Sequence, residues 1–185
     1  DKKILETAFS KLNEGIEIPY HIVSSGLELD EENRTGNADT VRRTIEFIST
    51  ISNDLKLVGL FDNDREGNEQ FKGLNKKIFE NYELNSIHRK HKEKTIYGLL
   101  LPVTEDKSEF VTNNITQRYF VIEHYFTNEF LENKNMKGAN ILTTDVFEIN
   151  GDKANFAENL TEEEVVEFEN FNLLFEKIDD LFNEA

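Results

Sequence analysis

Seven residues, Leu55-Lys56-Leu57-Val58-Gly59-Leu60-Phe61, form a nearly continuous apolar run that feeds directly into Asp62-Asn63-Asp64-Arg65-Glu66-Gly67. Such a run reads as a β-strand buried on both faces, which needs cover on each side of its sheet. A second run, Thr95 to Leu101, has the same character and is ended by Pro102. Between and around these strands the apolar spacing is helical. Residues 3–14 carry Ile4, Leu5, Ala8, Phe9 and Leu12, and Asp39 is placed to cap a helix over 40–53. A further helix is expected over 68–80, and the aromatic segment 117–131 reads as a helix packed on the sheet. Tyr20 to Val23 and residues 141–147 read as short strands, and 27–37 as an acidic loop. The stretch 161–182 has Thr161 as a cap, three glutamates in its first turn and a stripe from Val165 to Leu181, the pattern of one amphipathic helix. Strands alternating with helices define an α/β fold with a largely parallel sheet.

The acidic turn is the richest site. With 37 Asp and Glu among 185 residues, about seven acidic-x-acidic pairs arise by chance, so the pattern alone carries little. Its place carries more, because open parallel sheets gather their ligands at the carboxyl ends of strands. Asp62, Asp64 and Glu66 crowd such an end and repel one another unless a cation neutralises them. Oxygen-only ligation favours Mg²⁺, Mn²⁺ or Ca²⁺ over Zn²⁺. The alternative is helix capping, which Asp at an N-terminus with a following Glu also satisfies.

Asp62-x-Asp64-Arg65-Glu66-Gly67 after an apolar strand resembles the Toprim motif of topoisomerases, bacterial primases, recombination proteins and the overcoming-lysogenization-defect (OLD) nucleases. In letters it is closest to the type IA topoisomerase version. The family's other motif is a Glu-Gly-x-x-Asp turn ending the first strand, and Asp1, followed by Lys2-Lys3-Ile4-Leu5, resembles its closing Asp. The glutamate and the strand before it would then lie upstream of residue 1. Either the chain is a fragment of a longer protein, or this second resemblance is false. Val121-Ile122-Glu123-His124 is similar to the OLD segment that supplies a carboxylate to a second metal. Asp152-Lys153-Ala154-Asn155-Phe156-Ala157 is similar to its downstream stretch, whose lysine stands near the scissile phosphate. As alternatives, Glu123 is one exposed acid on an aromatic helix, and Lys153 one of 21 basic residues.

The resemblance implies a Toprim-like, Rossmann-like layered domain over 1–160, with 161–185 as a C-terminal helix packed on it. It implies a cytoplasmic, metal-dependent endonuclease of phage-defence type that cleaves DNA with Mg²⁺ or Mn²⁺. Asp62, Asp64 and Lys153 would be catalytic, and Asp62, Asp64, Glu66, Glu123 and Asp1 metal ligands. An upstream ATPase domain of the same protein is an implied partner. The reading from another class is a catalytically inactive, Toprim-like or receiver-like interaction module that binds a structural ion or a partner protein.

Composition closes other routes. The chain has no cysteine, which removes disulfides, thiolate zinc sites and Cys nucleophiles. No apolar run reaches the ~18–20 residues of a membrane span, and no signal-peptide pattern opens the sequence. A net charge of −16 argues against a broad basic surface, so contact with DNA must be local or metal-mediated. The basic island 86–94, with His88 and His91, reads as a solvated loop or a phosphate-backbone contact. There is no Walker-type motif, no G-x-G-x-x-G and no G-x-S-x-G. His21 reads as structural, and His124 as structural or as a supporting neighbour of Glu123.

Overall fold

The computed structural model describes residues 1–25, 37–141 and 143–183. Helix α1 (Lys2–Leu12) and helix α2 (Ala38–Ile51) stand where the periodicity places them. The α2 cap is Asn37, whose side chain accepts from the Thr40 N–H, two residues before the expected Asp39. Apart from Asn37, the expected loop 27–37 lies outside the described residues. Tyr20 to Val23 is not a strand. Tyr20 lays its ring against Phe9 and Phe182 in place of pairing its backbone.

Strand β1 (Leu57–Phe61) runs parallel to a later strand, Ile96–Leu100, with Gly59 opposite Gly98. Two short elements intervene. They are strand β2 (Asn63–Asp64) and helix α3 (Arg65–Gly73). Strand β3 (His88–Lys90) follows and pairs antiparallel with Ile96–Leu100, which is strand β4. The sheet order is β1-β4-β3. The class is therefore mixed α/β, but the expected largely parallel sheet is one parallel pair and one antiparallel pair. β4, not β1, is the central strand among the described residues.

Alternation along the strands serves two cores. Tyr97, Leu99 and Leu101 enter a large cluster with α1 and the C-terminal segment, while Ile96, Leu100 and Phe61 enter a smaller one with Ile45, Phe71 and Leu74. Glycine permits the close approach on the second face. A Cβ at Gly59 would lie 2.6 Å from Ile45 Cγ2, and one at Gly98 would lie 2.6 Å from Leu74 Cδ1.

The basic island is not a solvated loop. It forms the edge strand β3, and Arg89 is 2% exposed. Its guanidinium donates to the carbonyls of Phe71, Lys72, Leu74 and Glu80, at 2.7–3.1 Å, and so satisfies the C-terminal carbonyls that α3 leaves open. That explains why the helix expected over 68–80 stops at Gly73. His91 is also buried, edge-on to Phe79.

The aromatic segment 117–131 is not one helix. It divides into strand β5 (Tyr119–Phe120), a 3₁₀ turn Ile122–Tyr125, and helix α4 (Asn128–Asn133), which Thr127 caps through the Phe130 N–H. β5 pairs antiparallel with β2, Asn63 opposite Phe120 and Asp64 opposite Tyr119. Residues 141–147 are mostly connection between strand β6 (Lys137–Asn140) and strand β7 (Phe147–Ile149). A turn closed by Thr144 on the Ile141 carbonyl fills that gap.

Helix α5 (Lys153–Asn159) comes next, followed by 3₁₀ turns Leu160–Glu162 and Val165–Phe171 and helix α6 (Asn172–Asn183). The expected single C-terminal helix is thus broken. Glu163 and Glu164 are both extended, and Glu163 is held from outside: Lys134 pairs with its carboxylate and Lys11 donates to its carbonyl at 2.6 Å. The apolar stripe survives the break. Phe168, Phe171, Leu174, Phe175, Ile178 and Leu181 are all buried in the large core, so this segment shares the core of the preceding residues. No helix among the described residues is long and apolar enough to cross a membrane.

Candidate metal centre

Asp62 follows the last residue of β1, and Asp64 N-caps α3, its Oδ1 accepting from the Gly67 N–H at 2.7 Å. The capping reading of Asp64 is therefore correct, and it leaves the remaining carboxylate oxygen for other work. Gly67 is dictated by contact. A Cβ there would fall 2.0 Å from the Asp62 carbonyl oxygen, so only glycine lets the helix start this close to the strand end.

Pairing of β2 with β5 delivers the second half of the site. The Asp62 carboxylate accepts a hydrogen bond from the Ile122 N–H, the first residue of the 3₁₀ turn that carries Glu123. Glu123 is 1% exposed, contrary to the reading as an exposed acid. Its Oε1 lies 2.9 Å from Lys153 Nζ, while its Oε2 is buried with no hydrogen-bond partner. Lys153 reaches this point from the first turn of α5, which Asp152 caps through the Asn155 N–H, and its side chain stays half exposed.

Electrostatics ties the four groups together. Burial, then the charges of Asp64 and Glu123, push the Asp62 carboxyl up to about 7, against the opposing pull of Lys153 and the Ile122 N–H. Burial also raises Asp64, offset by the backbone N–H groups at the start of α3. The buried Tyr125 hydroxyl, donating to the Pro102 carbonyl at 2.6 Å, is pushed upward by burial and by Asp62.

Two expected ligands are not among the charges that act on Asp62 or Asp64. Asp1 is exposed at the N-cap of α1, and Glu66 is exposed in the first turn of α3. Among the described residues, no group of three or more His, Asp or Glu side chains is arranged to hold a metal ion. The donor chemistry still suits a hard cation at the Asp62–Asp64 pair, since Mg²⁺ is commonly held by one or two carboxylates while keeping several waters. Glu123 has one oxygen, Oε1, taken by Lys153, and offers only Oε2 to the site.

Some supporting residues were not legible in advance. Buried Asn63 donates to the Leu101 carbonyl at 3.0 Å and accepts from Asn68 at 3.0 Å. Arg118 closes this network through Asn68 Oδ1 at 2.7 Å and Asn63 Oδ1 at 3.3 Å. The one available signal was an Asn lodged between the two aspartates. His124 is fully buried among Phe110, Phe120 and Phe147, with Nδ1 accepting from the Val121 N–H and Nε2 on the Phe147 carbonyl. Burial, then Lys107, lower it to about 3, so it is a neutral positioning element of the turn.

No family model matches the chain, and neither a curated protein nor a solved structure matches it. The functional reading therefore rests on the residues themselves.

Proposed function

We propose that this chain is a Toprim-like, metal-dependent nuclease domain of OLD type that cleaves DNA phosphodiester bonds in the cytoplasm. The observation that carries the reading is the convergence of Asp62, Asp64, Glu123 and Lys153, from three separate segments, at the carboxyl end of β1. Asp62 and Asp64 would hold Mg²⁺ or Mn²⁺. When bound, that ion supplies Lewis-acid polarisation of a phosphoryl oxygen and a more acidic water. The protein's own part is positional. The Asn63–Asn68–Arg118 network fixes the turn, the Ile122 N–H orients Asp62, and Lys153 adds positive charge where the phosphodiester would approach. Lys72 and Lys76 line a concavity of about 750 Å³ with Arg42 and Tyr82 beyond the far end of α3. The helix rise of nine residues, about 14 Å, separates them from the acidic turn, a span that several nucleotides of backbone cover. An ATPase segment of the same protein is the partner this reading calls for.

A second reading, an inactive interaction module, is favoured by the lack of a three-ligand group among the described residues. Plasmid cleavage in Mn²⁺ separates the two. The chain, a version extended upstream by the encoded residues, and Asp62→Ala in each are compared. Cleavage in either form that Asp62→Ala abolishes supports the nuclease. Cleavage in neither form supports the module.

A further inference from the structure

We infer that Lys153 takes the place of a second metal ion, so that the site binds one divalent cation, at Asp62 and Asp64, and not two. This rests on the metal-dependent reading proposed above. It differs from the two-ion arrangement that the family resemblance implies.

Three observations carry it. Glu123 is 1% exposed, and a carboxylate that deep needs a counter-charge of its own. The counter-charge present is an ammonium at 2.9 Å, delivered from a different element by a side chain that can stay half in water. Finally, among the described residues Glu123 joins no group of three potential ligands, although its charge acts on Asp62. A tethered ammonium needs no dehydration of a free ion. It is present at every turnover and at every magnesium concentration. It also blocks one Glu123 oxygen from ligation, leaving Oε2 as the sole free donor on that side of the site.

The test counts ions. Mn²⁺ is titrated into the chain at neutral pH and followed by electron paramagnetic resonance, with circular dichroism reporting the fold of each variant. One tight Mn²⁺ is expected for the chain, two for Lys153→Met, and one for Lys153→Arg, which keeps the positive charge. Asp62→Ala is expected to lose the ion from the chain. Two ions bound by the unaltered chain would overturn the assignment of Lys153 while leaving the metal centre intact. One ion in both the chain and a folded Lys153→Met would do the same. No ion in the unaltered chain, or one ion that survives Asp62→Ala, would remove the metal reading itself. Should Lys153→Met not fold, Lys153→Gln, which can still hydrogen-bond Glu123 without charge, carries the same expectation of a second ion.

Discussion

The Cα of Gly67 sits against the Asp62 carbonyl oxygen so closely that a Cβ would approach it to 2.0 Å, and the same glycine's N–H is held by Asp64 at 2.7 Å. One residue therefore sets the spacing of both aspartates. Gly67→Ala has to push backbone off backbone, with no flexible side chain to give way. The expected result is a loss of about 2 kcal/mol in urea unfolding. Mn²⁺ affinity is expected to fall about tenfold, as for other groups that orient ligands. Unchanged affinity in a folded variant would show that the turn tolerates the shift.

Breaking the Glu123–Lys153 pair from one side strands a buried carboxylate. Lys153→Met is expected to cost about 3 kcal/mol without metal, whereas Glu123→Gln/Lys153→Met is expected to recover most of that loss. A double-mutant cycle in guanidinium measures the coupling. Additive effects would mean that the pair is no more than a surface contact.

Proton competition should govern metal affinity. Because the Asp62 carboxyl is pushed up to about 7, it holds a proton below that pH, and binding must release it. Mn²⁺ affinity is expected to rise about tenfold per unit from pH 5 towards 7 and to level off above. Calorimetry in buffers of different ionisation enthalpy counts the released proton. A flat profile would place the ion away from Asp62.

His124 makes the same demand on pH, for the fold and not for the metal. Lowered to about 3 in the fold from an ordinary 6.5, it must be neutral for the 3₁₀ turn to pack. Its contribution is fully present above pH 6.5 and is lost as pH falls towards 3, at up to about 1.4 kcal/mol per unit. His124→Gln, compared with the unaltered chain by thermal melts from pH 7 to 4, is expected to flatten that part of the curve.

What the sequence revealed followed from locality. The run from Leu57 to Phe61 and the turn behind it are contiguous, so the strand and its two aspartates were readable from neighbours alone. The aromatic segment misled because Tyr119 and Phe120 are drawn into a ladder by Asn63 and Asp64, partners 55 or more residues away that no periodicity encodes. Arg89 misled for a related reason. A cation in a basic run looks solvated until a helix end is known to point its carbonyls there. Glu123 and Lys153 were found through the order of motifs, and their burial and pairing had no local signature. Asp1 and Glu66 fitted the same pattern and are exposed.

The ladder of β2 and β5 is only two residue pairs long, yet with the Ile122 N–H it is what holds the Glu123 turn against Asp62. Hydrogen bonds of that kind do not slide as apolar contacts do; they are either made or broken. The backbone amides that close this ladder, together with that of Ile122, should therefore exchange with solvent as one unit, opening together and closing together. On this account the site does not soften by degrees: within any one molecule it is assembled or it is not.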